Sequence, residues 1–380
     1  MPSKKSPARA PKRARVLAYV GAYTDRGKGI HLFEVDQASG ALTPLETFAV
    51  PNPSWLEFDA GGNFLYATNA IADFAGGSTG SVTAFAVDRI SGGLRPLGAV
   101  SSGGAGPAHL SIDPSGAFVL VANYGGGSVA VLPIRADGTL GPASDVQRIA
   151  GPLGPRRAAD APPGSFADSG HDAPHAHMVS SDPTGRFVLV NDLGTDRIYV
   201  YEFDRAAGRL IANDPPFVQA APGAGPRHVA FHPNGRLLYS LNEEASTIDL
   251  MTWDARRGAL AIVQTLPTLP AGFEGTNFPS EVAVSPDGRF VYAGNRLHDT
   301  IAVFAIAPRS GRMTHLRDVW TRGSYPRWFG WEPSRKFAYV LHTRSDNITI
   351  FRSDAKTGAL AFTGRYVGVG NPSMIAFLTV

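Results

Sequence analysis

Short apolar runs alternate along the chain with tight polar turns, and the unit they form is strand, turn, strand. In residues 225–243, GPRHVAFHPNGRLLYSLNE, the run Val229, Ala230, Phe231 is followed by the turn His232-Pro-Asn-Gly and then by the run at 237–241. The same turn recurs as DAGGNF (59–64), DPSGAF (113–118), DPTGRF (182–187), HPNGRL (232–237), SPDGRF (285–290) and EPSRKF (332–337). An apolar first strand precedes each turn. Second strands are expected at 65–69, 119–123, 188–192, 238–242, 291–295 and 338–342, and third strands at 82–87, 129–134, 198–203, 248–253, 301–306 and 348–352. Segments such as DRISGGL, DRAAGRL and DAKTGAL then read as hairpin turns into a fourth strand. The spacing of about fifty residues is that of a repeat fold with loops of variable length.

Six copies are complete, and the chain ends supply the parts of a seventh. VLAYVGAY, GIHLFEVD and ASGALTPLETF give second, third and fourth strands without a first. NPSMIAFL at the C-terminus is a first strand alone, and it matches NPSWLEF at 52–58. A linear solenoid needs capping units and does not split one repeat between its termini. The pattern therefore predicts an all-β, seven-bladed β-propeller with four-stranded antiparallel blades. The C-terminal strand pairs with the N-terminal strands to close the ring. Residues 16–380 form this single propeller, and 1–15 form a disordered basic tail. Residues 150–174, rich in Gly, Pro, Ala and Asp, form a long loop insertion, read as a flap over one face.

Composition narrows the chemistry. The 380 residues include no cysteine, which excludes disulfides, thiolate metal sites and cysteine nucleophiles. The formal net charge of +3 hides an asymmetry. The first fifteen residues hold Lys4, Lys5, Arg9, Lys12, Arg13 and Arg15 and no acid; without those six the remainder carries −3. This tail reads as solvated chain, so no nucleic-acid partner is expected. No apolar run approaches the ~18 residues of a membrane span, and no signal-type apolar stretch follows the basic residues. A cytoplasmic protein, monomeric or weakly oligomeric, is expected.

In a propeller the first strand of each blade lines the central channel, and antiparallel pairing sets its start beside the end of the second strand. Aligned on the turns, Arg227 corresponds to Ser54, Ala108, His177, Ser280, Arg327 and Ser373. Glu243 corresponds to Ala70, Tyr124, Leu193, Arg296, Thr343 and Ala22. One rim therefore gathers His177, Arg227, Glu243, Arg296 and Arg327, with His109, His228 and Glu281 one position further in and His175 two residues before His177. Arginine forks suit carboxylate or phosphate, a glutamate among arginines stays ionised, and histidine moves protons near neutral pH. The set suits acid–base chemistry on a small anionic molecule. His175-Ala-His177 has the alternation of a metal pair but no evident third ligand, so neither metal nor organic cofactor is expected. The recurrent Asn69, Asn123, Asp192, Asn242 and Asn295 read as turn-stabilising residues. P-loop, dinucleotide-binding, nucleophile-elbow and EF-hand patterns are missing.

The segments GPRHVAFHPNGRLLYSLNE (225–243), HAHMVSSDPTGRFVLVNDLGTDRIYVY (175–201), SEVAVSPDGRFVYAGNR (280–296) and YVGAYT (19–24) resemble the seven-bladed lactonase family from about residue 16 to the C-terminus. That family includes the propeller-type 6-phosphogluconolactonases and the fungal carboxy-cis,cis-muconate cyclase. The resemblance implies hydrolysis of a sugar lactone, 6-phosphogluconolactone being the leading substrate. Carboxymuconate cycloisomerisation and a non-catalytic binding module are the alternatives. The family's site falls on His175 or His177, Arg227, Glu243 and Arg296. His228, Arg327 and Glu281 join His175 as candidate substrate contacts. Two positions depart from the family pattern: Glu244 follows Glu243, and Leu297 follows Arg296, where an apolar residue and a glycine are usual.

Overall fold

The computed structural model describes residues 14–165 and 170–380. The tail expected at 1–15 lies outside the described residues but for its last two. Of these, Arg15 joins the sheet: it exchanges backbone hydrogen bonds with Val380 and pairs with Glu34 at 2.9 Å.

The described residues form seven four-stranded antiparallel sheets. Numbered from the first complete copy, the blades open with Pro53–Phe58, Pro107–Ile112, Ala176–Ser181, Pro226–Phe231, Pro279–Val284 and Pro326–Trp331. Blade 7 is composite: Pro372–Thr379 pairs with Val16–Ala22, followed by Gly29–Val35 and Leu42–Phe48. The chain ends are thus joined as two neighbouring strands of one sheet, which removes an open edge from the ring.

The turn after each inner strand is built the same way each time. The leading Asp or its substitute accepts backbone N–H groups of the turn, as Asp113 does from Ala117 and Phe118, Asp182 from Phe187, and Glu332 from Lys336 and Phe337. A left-handed residue completes it: Gly116 (φ 74°), Gly185 (φ 68°) and Gly288 (φ 68°), with Arg335 (φ 57°) standing where the sixth copy lacks glycine. The second strand of each blade is buried along nearly its whole length on both faces, so each pair of adjacent blades encloses its own hydrophobic cluster. One such cluster holds Tyr239, Leu241, Ile248, Val291 and Phe304. Buried tyrosines latch neighbouring blades. Tyr19, Tyr66, Tyr239 and Tyr339 donate to the carbonyls of Gly92, Gly138, Gly311 and Gly40 in hairpin turns of the next blade, at 2.7–3.1 Å.

The inner strands carry one further repeated feature. Each has a bulge near its start, at Ser54, Ala108, His177, Arg227, Arg327 and Ser373, and over Ser280 and Glu281 in blade 5. A bulge leaves one residue without a cross-strand partner and re-aims its side chain. The bulges thus set His177 and Arg327 at the mouth pocket and Arg227 in the layer beneath it, while Ser54, Ser280 and Ser373 donate to proline carbonyls of the next inner strand.

The insertion lies against the mouth-side connections of blades 3 and 4. Gly154 donates to the Gly194 carbonyl, Ala158 packs on Ala220, Ala224 and Ala245, and buried His171 contacts Asp196 at 2.9 Å. Asp196 also accepts the backbone N–H groups of Gly223 and Gly225, at 2.6 and 2.8 Å. That anchors the corner (Gly225 φ 67°) from which Arg227 is presented.

Candidate active site

At the mouth lies an open pocket of about 310 Å³, lined by Tyr23, Tyr124, His177, Glu243, Arg296 and Arg327, with a wall of small residues at Ala70, Gly106, Ala108 and Gly125. That is the small end of the ligand-pocket range. Directly beneath, Arg227, His228, Glu281, Trp55 and Trp328 close the channel, leaving about 10 Å³ of room, roughly one water.

Glu243 is the hub. It follows the second strand of blade 4, Leu237–Asn242. Its Oε1 lies 2.7 Å from an Arg296 Nη, and its Oε2 lies 2.8 Å from Arg227 Nε. The second contact is an ion pair by distance but poorly aligned as a hydrogen bond, so Oε2 keeps accepting capacity. Burial pushes Glu243 up, but the charges of Arg296 and Arg227 outweigh it and hold the carboxylate ionised below its usual range. Arg296 also donates from Nε to the Phe278 carbonyl at 2.6 Å, and Arg227 donates to the Ser280 carbonyl. Burial, then the Arg296 charge, push Arg227 down to about 10. Arg327, half-buried, spends one Nη on the Tyr23 hydroxyl at 2.8 Å and has no carboxylate partner among the described residues. Arg227 and Arg296 thus pair with Glu243, and among the described residues Arg327 alone of the three has no carboxylate within ion-pair distance.

His177 presents its imidazole between the pocket and the layer below. Its Nδ1 sits 3.1 Å from Nε2 of His228, whose Nδ1 sits 3.0 Å from Oε1 of Glu281. Burial and the nearby arginines, Arg227 first, hold both imidazoles well below their ordinary pKa and therefore neutral. Burial pushes Glu281 up to about 7, a shift that Arg227 partly offsets.

The residues singled out in the sequence fall into two groups. His177, Glu243, Arg296 and Arg327 converge at the mouth, while Arg227, expected on the same rim, lies one layer down with His228 and Glu281. His175 stands apart. It stacks on Tyr124 (centroids 4.3 Å apart), its Nδ1 meets the Tyr124 carbonyl at 2.9 Å, and its Nε2 meets Asp172 at 2.6 Å. Its place is behind Tyr124, which itself lines the pocket. His109, one layer down, packs on Trp55 at 4.1 Å and is likewise held neutral by burial. Leu193 and Thr343, aligned with Glu243, do not line the pocket. In blade 7 the counterpart of Glu243 is Tyr23 and not Ala22: Ala22 pairs with Pro372 as Asn242 pairs with Pro226, and the Tyr23 N–H donates to the Asn371 carbonyl as that of Glu243 does to Gly225, a one-residue shift that the composite blade, lacking the turn motif, hides in the sequence. Among the described residues no His, Asp and Glu side chains gather in a group of three that could hold a metal ion. Of the recurrent polar residues, Asn69, Asn123 and Asn295 donate to carbonyls of the connection entering their blade, at 2.8–2.9 Å, Asn242 binds Asp249, and Asp192 caps its own turn at Thr195.

A seven-bladed propeller with an arginine-rich acid–base site at one mouth defines the class of protein. The chain belongs to the family "Lactonase, 7-bladed beta-propeller", whose profile matches residues 17–377. It is 32% identical to the 6-phosphogluconolactonase of Bacillus subtilis, covering 96% of this chain and 99% of that protein. It is 31% identical to the 6-phosphogluconolactonase of Pectobacterium carotovorum, covering 92% and 96% respectively. A solved structure of a periplasmic gluconolactonase from Pseudomonas aeruginosa superposes with a TM-score of 0.85 at 32% identity, over 96% of this chain and 99% of that one.

Proposed function

We propose that the chain hydrolyses 6-phosphogluconolactone to 6-phosphogluconate in the pocket at the channel mouth. The observation that carries this reading is the charge balance there. Arg227 and Arg296 share Glu243, while Arg327 is left with only a tyrosine hydroxyl. An anionic ligand completes the set, and a phosphate accepts the free donors of Arg327. Held by its phosphate against Arg327, the lactone presents its carbonyl to Arg296 and His177. Arg296 steadies the developing oxyanion. Full-length relatives named for this reaction support the same reading.

A phosphorylated sugar does not cross a membrane unaided, so the proposed substrate supports a cytoplasmic location. Among the described residues no helix is long and apolar enough to cross a membrane. The test compares phosphorylated and unphosphorylated gluconolactone. The native enzyme should prefer the phosphorylated form. Arg327→Gln should lose about 2 kcal/mol of that preference, within the range for one hydrogen bond to a charged group, or roughly thirtyfold in kcat/KM. An unchanged preference removes Arg327 from the phosphate site.

A further inference from the structure

Two imidazoles and a carboxyl group form a line from the mouth into the buried layer: His177, His228 and Glu281, joined nitrogen to nitrogen at 3.1 Å and nitrogen to oxygen at 3.0 Å. All three are at most 8% exposed. Their order fixes where the protons sit. An ionised Glu281 only accepts, so His228 carries its proton on Nδ1 and offers a bare Nε2. That nitrogen accepts from Nδ1–H of His177, which leaves His177 Nε2 bare and on the pocket side. Protonating Glu281 reverses both rings and puts a proton on His177 Nε2. One carboxyl group thus sets the polarity of a nitrogen two residues away.

Resting on the lactonase reading above, we propose that Glu281 and His228 are positioning residues of a proton relay that makes His177, rather than Glu243, the base of the reaction. Glu243 is poorly suited to that task, since two guanidiniums hold it ionised and weakly basic. His177 alone would also be poor, because an imidazolium at its position faces Arg227, Arg327 and Arg296. The relay removes the conflict. As the water oxygen bonds to the lactone carbonyl carbon, its proton goes to His177 Nε2. The Nδ1 proton of His177 passes to His228 Nε2, and the Nδ1 proton of His228 passes to Glu281 Oε1. The ring C–O bond then breaks and the transfers run backward, returning one proton to the departing alkoxide. Lactone and water become the open hydroxy acid, and the protein ends as it began.

The other titratable and charged groups packed on the line are few. Blade 2 contributes His109 and Tyr124, blade 4 Arg227 and Glu243, blade 5 Arg296, blade 6 Arg327 and blade 7 Tyr23. His109 lies 5.6 Å from His228, centroid to centroid, and makes no hydrogen bond to it. Because Glu281 is pushed up to about 7, the active arrangement fills in as pH rises through that value. The rate should therefore fall on acidification.

The test is Glu281→Gln in the full chain, with freshly made 6-phosphogluconolactone. A glutamine satisfies His228 in either direction but cannot store the proton. The expected result is a fall in kcat of about 10- to 100-fold, KM within about twofold, and loss of the kcat/KM limb near pH 7. Glu281→Asp should restore part of the rate and the limb. Full activity with the limb intact overturns the relay, and so does lost activity with an unmoved limb, which marks a purely structural carboxylate. Nitrogen-15 NMR of the native protein gives a second reading that needs neither variant nor substrate. His177 should carry its proton on Nδ1 at about pH 8 and gain one on Nε2 by about pH 5.5. A protonated Nε2 at the higher pH overturns the relay. Native protein that leaves the lactone at its spontaneous rate refutes the lactonase reading instead, and the tautomer then decides the relay alone.

Discussion

Arg227 is 2% exposed and, among the described residues, one of the largest fully buried side chains, which makes it a direct test of what a buried charge costs the fold. Burial, then the neighbouring Arg296 charge, push its guanidinium down to about 10. At ~1.4 kcal/mol per pH unit, holding it charged costs the folded state on the order of 3 kcal/mol. The sign follows from proton counting. Between the folded value, about 10, and the higher value of the unfolded chain, the unfolded chain binds more protons, so stability rises with pH there, and the penalty is present in full below that window. Arg227→Met keeps most of the volume and leaves Glu243 with Arg296 as a neutral one-to-one pair. Against the relieved charge stands the Ser280 carbonyl, which loses its donor at about 1–3 kcal/mol. The two terms nearly cancel. Thermal or urea unfolding of Arg227→Met should therefore stay within about 2 kcal/mol of the native protein, or roughly 3 °C for a chain of this length. Turnover of 6-phosphogluconolactone should fall by about 10²-fold. A loss of more than about 4 kcal/mol would show that Arg227 is a brace between blades and that the charge reasoning is wrong.

Glu243→Gln should behave in the opposite way, because it strands two buried guanidiniums instead of removing one. A loss of about 3–5 kcal/mol in urea unfolding is expected along with lost activity; unchanged stability would mean that the arginines are neutralised elsewhere. Tyr239→Phe removes the latch to the Gly311 carbonyl and should cost about 1–2 kcal/mol without altering kcat, and a change in kcat would tie blade packing to the site.

Much of this architecture can be read from the chain because its turns are chemically explicit. DPSGAF and its relatives place an acceptor and a left-handed glycine at fixed offsets, so strand positions follow to within a residue or so. The rim set follows from the same alignment, which is why His177, Arg227 and Arg327 fall at equivalent positions of their inner strands. The bulges that aim those residues are not legible, since an unpaired residue in an inner strand has no composition of its own. Nor is the line from His177 to Glu281, whose members lie on three different strands. His175 shows the limit from the other side. Two residues from His177 and equally polar, it is taken up by Tyr124 and Asp172. Sequence spacing places it beside the pocket, and only the path of the insertion decides that it supports the wall.

The most direct test of the central claim is the rate at which purified protein consumes freshly prepared 6-phosphogluconolactone near neutral pH, measured against spontaneous hydrolysis. Saturable consumption far above the spontaneous rate, faster for the phosphorylated lactone than for gluconolactone, is the result expected from a pocket whose unpaired charge is Arg327. Consumption at the spontaneous rate for both lactones would contradict it.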